Sequence, residues 1–272
     1  MSIIALLTDF GPRGSHYVAA MKAVILDINP KLKIIDISHT TEAFSIIEAA
    51  YLLKSTYSYF PKGTAFVVVV DPGVGSQRGI VAIETADEYY FVGPDNGIFP
   101  AALRDAIKEG YMVENEQFFH KPVSNTFHGR DIMSPVAAHI HSGVLLEDLG
   151  SAVDPIDLRE VQIPFEINEK EKKINCTVQY VDDFGNITTN IAIKQNKIEG
   201  TDIILLENQN ISLLKGNSEK RGKFTSHFGA VPKKSLLFLK GSTSYLEISL
   251  NQGNASADLN IFSGDNIELQ FQ

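Results

Sequence analysis

The sequence lacks the features from which disulfide-bonded, zinc-binding and membrane-spanning proteins are built. Its 272 residues include one cysteine, Cys176, which excludes a disulfide within the chain and a cysteine-rich zinc site. No apolar run is as long as a membrane-spanning helix requires. The first residues lack the basic segment of a signal peptide, and Asp9 interrupts their short apolar stretch. We therefore expect a cytoplasmic protein that does not bind membranes.

Basic residues are also scarce. Lysine and arginine number 24 against 33 aspartate and glutamate residues, a formal net charge of −9. No basic cluster lies among aromatic residues as a nucleic-acid-binding surface requires. The patches Lys170–Lys173 and Lys215–Lys223 are diluted by glutamate and glycine, and we interpret them as solvated faces. The sequence therefore predicts no nucleic-acid partner.

The pattern of residues 1–150 predicts an α/β domain with a mostly parallel sheet, because apolar strand-like runs alternate with segments of helical period. Ala65–Val70 contains four consecutive valines, which is typical of a strand buried on both faces at the centre of a sheet. Further strands are predicted at Ile3–Leu7, Leu32–Ile37, Ile80–Glu84 and Tyr89–Val92. Helices are predicted from Tyr17 to a stop before Asn29, from Ser45 onward, and over Ile98–Glu109 and Met133–Ser142.

The second half of the chain has a different character. Residues 151–164 contain prolines, a loose pattern and scattered acids, and we interpret them as a linker. Residues 165–272 carry short strand candidates separated by turn residues, which predicts a smaller, antiparallel, β-barrel-like domain. The candidates are Asn175–Val181, Ile187–Ile191, Asp202–Leu206, Ser235–Lys240, Tyr245–Leu250 and Asn266–Phe271.

Polar residues follow the predicted parallel strands, where open sheets bind their ligands. Asp9 comes after the first strand, and its carboxylate could accept both hydroxyls of a ribose or cap a turn. The loop Asp71–Arg78 comes after the third strand. Its glycines lack the spacing of a phosphate-binding loop, so we interpret it as a tight turn that directs Asp71 and Arg78 into one cleft.

Two other segments combine polar and aromatic residues. Ser124–Asp131 is dense in polar groups before an apolar helix and contains His128, which is either a site residue or a capped surface histidine. In Tyr180–Asn190, Phe184 and Asn186 stand two residues apart. They could stack on a purine and bond its edge, or they could form an ordinary β-turn.

Taken together, these segments resemble the S-adenosylmethionine hydrolase family, also called the SAM hydroxide adenosyltransferases, which are relatives of the fluorinating and chlorinating halogenases. The resemblance extends from end to end of the chain. It rests on Leu7–Gly11, Tyr17 to Lys22, Asp36–His39, Asp71–Gly75 with Arg78, Gly93–Gly97, Thr126–Asp131, Phe184–Asn186 with Thr189 and Asn190, and Tyr245–Ile248.

The resemblance implies hydrolysis of S-adenosyl-L-methionine to adenosine and L-methionine by in-line attack of water at C5′, with no metal and no cofactor. The family's hydrolases carry an Asp–Arg–His set that the halogenases lack, and Asp71, Arg78 and His128 match it. Because the sulfonium makes methionine a good leaving group, the main task is to hold water in line. Arg78 stays protonated, so Asp71 or His128 accepts the proton. The sequence does not choose between them.

The resemblance also implies the substrate-binding residues and the assembly. Asp9 would hold the ribose, and Phe44 and Phe127 would border the sugar or the sulfonium. Phe184 and Asn186 would bind the adenine, while Asp182 and Ser242 would contact the amino and carboxylate groups of methionine. Phe10 and Tyr245 are the other two substrate-binding residues that the resemblance implies. Thr243 stands where the halogenases have an arginine. The implied assembly is a homotrimer whose active sites lie between the first domain of one subunit and the second domain of its neighbour.

A halogenase-like enzyme and a sensor are the two alternatives to this function. In the first, a halogenase-like enzyme, a halide replaces water, and the Asp–Arg–His set argues against it. In the second, the chain is a sensor that binds S-adenosylmethionine without turning it over, and tight binding without release of methionine would support it.

Overall fold

The computed structural model describes residues 2–216 and 218–272. The chain forms two compact units, of which the first ends at Val161 and the second begins at Gln162. The first is an α/β unit whose sheet begins with parallel strands, and the second contains a closed β-barrel. Both observations confirm the predicted fold class. Within the described ranges, no helix has the length and apolar character needed to span a bilayer.

The first unit consists of one sheet with helices on both faces. Its strands are β1 (Ile3–Thr8), β2 (Lys33–Ser38), β3 (Ala65–Val69), β4 (Ile80–Thr85), β5 (Tyr90–Pro94), β6 (Ile107–Met112) and β7 (Ala152–Val153). Its helices are α1 (Ser15–Ile28), α2 (Ile46–Thr56), α3 (Ile98–Leu103) and α4 (Ser134–His141). The side chain of Ser45 accepts a hydrogen bond from the Glu48 backbone N–H and so begins α2, as the sequence predicts.

The sheet has the strand order β2-β1-β3-β5-β4-β6-β7. Its first four strands run parallel, and β4, β6 and β7 pair antiparallel. Along β1, Ile4 and Leu6 join the core that contains residues of α1 and α4, whereas Ala5 and Leu7 join the core that contains residues of α2 and α3. Strand β3 is buried along its whole length between β1 and β5, as its valines predict.

The predicted helix Ile98–Glu109 is wrong in its second half. Helix α3 ends at Leu103, and Ile107–Met112 forms β6, which pairs antiparallel with β4. The consecutive residues Tyr111 and Met112 pack on opposite cores, as the alternation of a strand requires. Gly110 lies opposite Ile83 in the ladder, and glycine weakens a helix interior by about 1 kcal/mol.

The second unit is built around seven strands that close on themselves. Its strands are β8 (Phe165–Asn168), β9 (Lys173–Val181), β10 (Ile187–Lys194), β11 (Lys197–Ile198), β12 (Asn210–Lys215), β13 (Ser218–Phe224), β14 (Leu236–Lys240), β15 (Tyr245–Leu250) and β16 (Asn266–Phe271), with one helix, α5 (Ala255–Leu259). The barrel order is β10-β15-β14-β13-β12-β16-β9, and β9 pairs with β10. The pair β13–β14 is parallel, an exception to the predicted antiparallel pattern.

The strand predicted at Asp202–Leu206 is not formed. Ile204 makes only an isolated bridge with Lys197. The backbone N–H of Leu205 donates to the carbonyl of Asn196, and the N–H of Ile198 donates to the carbonyl of Ile203. The segment therefore covers the end of the β10–β11 hairpin and buries Ile203 and Leu205 without joining the ladder.

Candidate active site

A cavity of about 240 Å³ lies at the carboxyl ends of β1 and β3 in the first unit. Thr8 is opposite Val69 in the parallel register, so Asp9 and Asp71 follow neighbouring strands at one edge of the sheet. The cavity is lined by Asp9, Phe10, Ala43, Phe44, Val69, Asp71, Val74, Thr126, Phe127, His128 and Gly129. Six of the predicted site residues thus line one cavity.

Arg78 joins the other two members of the predicted set. Its Nε lies 2.9 and 3.0 Å from the two carboxylate oxygens of Asp71, and its Nη2 donates to Asp71 Oδ2 at 2.5 Å. The same Nη2 lies 2.8 Å from Nδ1 of His128. The side chains of Arg78 and Asp71 are each 5% exposed, so the pair is shielded from solvent and far less screened than a surface pair.

Two glycines allow the loops that carry these residues to meet. Gly75 has φ +76, and a Cβ there would lie 2.4 Å from the carbonyl oxygen of Asn125. A Cβ on Gly129 would lie 2.8 Å from Cγ1 of Val69 on β3. The loop after β3 and the turn that carries His128 are therefore in backbone contact, which holds the residues of the set together.

Asp131 is a buried residue of this site to which the sequence reasoning gave no role. Its side chain is fully buried, its Oδ2 accepts the Ser124 backbone N–H at 2.8 Å, and Arg130 donates to both of its oxygens. Arg130 also lies over the ring of Phe127, 5.2 Å from the centroid. Asp131 thereby closes the turn that presents Phe127 and His128 to the cavity. The only signal in the sequence is its position in the polar segment.

The electrostatic surroundings of His128 favour its neutral form. Burial lowers the pKa of His128, and the positive charge of Arg78 lowers it further, while Asp71 and Asp131 act in the opposite direction. The net shift is downward from the ordinary value of 6.5. His128 is therefore uncharged at neutral pH.

Asp9 is hydrogen-bonded to the backbone of Phe44, another residue that lines the cavity. Its Oδ2 accepts the backbone N–H of Phe44 at 2.8 Å. Phe44 has φ 68, an uncommon conformation for a bulky residue, and its side chain is 68% exposed. Burial raises the pKa of Asp9, and Asp71 adds to that rise, whereas backbone hydrogen bonds oppose it. The aromatic part of the wall is ordered by edge-on contact of Phe10 with Phe127.

A series of polar contacts connects Lys22 to Thr8, the residue before Asp9. Lys22 Nζ lies 2.6 Å from Asp36, His39 Nε2 lies 3.1 Å from the same carboxylate, and His39 Nδ1 lies 2.9 Å from the hydroxyl of Thr8. Burial raises the pKa of Asp36, but the hydrogen bonds from Lys22 and His39 outweigh burial and lower it overall. These three contacts hold together motif residues for which the sequence suggested no function.

In the second unit, three predicted ligands lie in one turn between β9 and β10. Asp182 Oδ1 accepts the backbone N–H groups of Phe184 and Asn186 at 3.0 and 2.8 Å, and its Oδ2 accepts the amide of Asn186 at 2.9 Å. Phe184 is 78% exposed. Asp182 thus stabilises a β-turn in which the ring of Phe184 is exposed, whereas the half-buried Asn186 donates its side-chain amide to Asp182.

The other predicted ligands of the second unit lie around the β14–β15 turn. Ser242 is exposed and Tyr245 is half-buried at the start of β15. Glu247, which the sequence reasoning did not assign, is also half-buried, and burial and the nearby Asp182 raise its pKa. Two carboxylates therefore lie near each other in this unit, which suits a cationic ligand group.

No metal-binding cluster of three or more His, Cys, Asp or Glu side chains occurs among the residues that the structure describes. The expected absence of a metal and of a cofactor stays a prediction.

Comparison with known proteins decides the family. The SAM hydroxide adenosyltransferase N-terminal domain matches residues 4–150, and the C-terminal domain of the same family matches residues 176–268. The chain belongs to the SAM hydroxide adenosyltransferase family. The family resemblance predicted from the motifs is therefore confirmed.

Relatives within this family match between 70% and 99% of the chain. A protein of Methanocaldococcus jannaschii named (R)-S-adenosyl-L-methionine hydrolase is 38% identical over 99% of this chain and 96% of its own. A fluorinase of Nocardia brasiliensis is 26% identical over 70% of this chain and 71% of its own. A crystal structure of an uncharacterized conserved protein from Thermotoga maritima has a TM-score of 0.85 at 35% identity, covering 98% and 99% of the two chains.

Proposed function

We propose that this protein hydrolyses S-adenosyl-L-methionine to adenosine and L-methionine. The observation that carries the proposal is the guanidinium of Arg78, which binds both Asp71 and His128 at the wall of a cavity that Asp9 also lines. The Asp–Arg–His set of the family's hydrolases is thus assembled beside a carboxylate suited to a ribose diol. Full-length relatives that are named as hydrolases support the same reaction.

The charge of the cavity favours a cationic substrate and water over a halide. Arg78 neutralises Asp71, which leaves the carboxylate of Asp9 and the aromatic rings of Phe10 and Phe127 on the wall. A sulfonium next to such rings gains about 0.5–2 kcal/mol. A halide ion gains nothing from these groups, and the carboxylate repels it. The halogenase-like alternative therefore has the weaker support.

The reaction needs positioning more than strong activation. Water attacks C5′ as the C5′–S bond breaks, and the bonding electron pair remains on sulfur as neutral methionine. The sum is sulfonium plus water giving adenosine, methionine and one proton. Holding water in line with the leaving sulfur supplies the largest part of the acceleration. The side chains available to bind and orient this water are Asp71, Arg78 and His128.

The cavity of the first unit does not enclose the whole substrate. Its volume of about 240 Å³ is below the ~300–1,000 Å³ that is usual for small-molecule sites. We therefore assign the adenine and methionine contacts to Phe184, Asn186, Asp182, Ser242 and Tyr245 of a second copy in a homotrimer. Size measurement by light scattering tests this assembly, and an active monomer would contradict it.

The proposed reaction uses no metal and no cofactor, since the sulfonium is already an activated leaving group. Turnover should be unchanged after treatment with a chelator. The single cysteine supports the cytoplasm as the location.

The test is to incubate the purified protein with S-adenosylmethionine and to follow adenosine and methionine by chromatography. We expect equal amounts of the two products, with and without chloride. Because several relatives are named for the (R) form, the two sulfonium epimers are assayed separately. Product that requires halide would favour the halogenase-like reaction, and tight binding without product would favour a sensor.

A further inference from the structure

The bond between Arg78 and His128 fixes the direction of hydrogen donation. Nη2 of Arg78 carries two hydrogens, and it has two neighbours, Oδ2 of Asp71 and Nδ1 of His128. A guanidinium stays protonated in proteins and has no acceptor lone pair. Arg78 is therefore the donor in both bonds, and Nδ1 of His128 is an acceptor.

This direction decides where the imidazole carries its proton. A neutral imidazole has one N–H and one bare nitrogen, and an imidazolium has two N–H groups. Because Nδ1 must be bare to accept from Arg78, the proton of neutral His128 lies on Nε2. Protonation at Nδ1 would place two N–H groups against each other at 2.8 Å. His128 cannot take up a second proton while this bond lasts.

We propose that His128 acts as a hydrogen-bond donor through Nε2–H, which fixes the oxygen of the attacking water, and that Asp71 is the group that accepts the proton of that water. The proposal rests on the proposed hydrolysis and chooses between the two proton acceptors that the sequence left open. His128 and Asp71 both line the cavity, so a water molecule bound there would lie beside both side chains.

The proton balance is compatible with a carboxylate acceptor. As oxygen bonds to C5′, it becomes positively charged, and its protons become strongly acidic. A weak base such as a carboxylate suffices to remove one of them, and Asp71 passes it to solvent after the products form. Arg78 keeps its proton throughout and holds both partners.

The charged groups around His128 support its role as a neutral donor. Burial lowers the pKa of the ring, Arg78 on one side lowers it further, and Asp71 and Asp131 offset only part of this. Asp131 is itself bound by Arg130 and by the Ser124 backbone, so its charge is already compensated. The ring therefore stays neutral as the pH falls below the ordinary histidine value of 6.5.

The first test reads the tautomer directly and needs no substrate. In protein with ¹⁵N-labelled histidine, the resonances of His128 are identified by their loss in His128→Gln, since the chain has 7 histidines. We expect the shifts of a bare Nδ1 and a protonated Nε2 at pH 7, and their change in Arg78→Met. A protonated Nδ1, or an imidazolium at pH 7, would overturn the proposal.

The second test separates a donor from a base by kinetics. Glutamine places an amide N–H near the position of Nε2, so His128→Gln should lose about tenfold in kcat, whereas His128→Ala should lose about 10²-fold or more, the usual effect of a missing donor. Asp71→Asn should lose about 10²–10⁴-fold, as expected of a missing base.

The pH profile adds a readout that a structural role would not change. The pH dependence of kcat should persist in His128→Gln, because His128 does not accept the proton of the attacking water. If His128→Gln were as inactive as His128→Ala and Asp71→Asn stayed active, the proposed roles would be reversed. A wild-type protein without turnover would instead refute the proposed hydrolysis, and the tautomer measurement would still decide the state of His128.

Discussion

Replacing Arg78 by methionine should destabilise the first unit strongly. The Arg78 and Asp71 side chains are each 5% exposed and joined by three short contacts. Removing one partner of such a pair leaves an uncompensated buried charge and costs about 3–5 kcal/mol. For a domain of this size, 1 kcal/mol shifts the melting temperature by about 2–4 °C. We therefore expect Arg78→Met to lower the Tm by about 6–20 °C.

The chain offers a matched control for this experiment. Arg104 and Glu160 form an ion pair of similar length, 2.9 Å, but their side chains are 67% and 50% exposed. Arg104→Met should cost less than about 1 kcal/mol, as is usual for an exposed pair. Calorimetry measures both variants under identical conditions.

A double variant separates the loss of the contact from the cost of the orphaned charge. In Arg78→Met with Asp71→Asn, no buried charge is left unpaired, so the double variant should be more stable than Arg78→Met alone. If Arg78→Met melted at the same temperature as Arg104→Met, Arg78 and Asp71 would not form a buried ion pair.

Three other predictions concern pH and packing. Burial lowers the pKa of three histidines, so the unfolded chain binds more protons than the folded chain below pH ~6.5. The free energy of unfolding should therefore fall as the pH drops from there. Urea titrations that give the same free energy of unfolding at pH 7 and pH 5.5 would contradict this. The three are His128, His139 and His141. Asp131→Asn should cost about 1–3 kcal/mol of stability, because it weakens the charge-assisted hydrogen bonds of Asp131. It should also lower the pKa of His128 further, which NMR titration measures. Unchanged stability and an unchanged pKa would exclude a role of Asp131 in the turn that carries His128. Gly75→Ala should reduce both stability and turnover, because its Cβ would meet the Asn125 carbonyl. Gly63→Ala is the control: Gly63 has φ +79 and open space around it, so this variant should lose stability only. Equal turnover in the two variants would contradict the loop contact.

The grouping of site residues in the first unit could be predicted because parallel strands end at the same edge of the sheet. β1 and β3 are neighbours, so Asp9 and Asp71 had to lie close together once both strands were recognised. The turn residues around Gly75 then predicted that Arg78 folds back toward Asp71. Buried strands with strong β-branched character gave this unit a clear pattern.

What could not be predicted depends on contacts between distant residues. The pairing of β6 with β4 overrides the helical character of the segment after Leu103. The Arg78–His128 bond joins residues 50 positions apart, and no local pattern indicates it. The closure of the barrel by β9 and β10, and the parallel pair β13–β14, likewise follow from the whole set of strands.

Turnover in H₂¹⁸O shows whether water attacks C5′ of S-adenosylmethionine. Mass spectrometry of the products should find ¹⁸O in the 5′-hydroxyl of adenosine and none in methionine, with one label per turnover. Unlabelled adenosine, or label in the amino acid, would show that the C5′–S bond is broken by another route and would exclude attack of water at C5′.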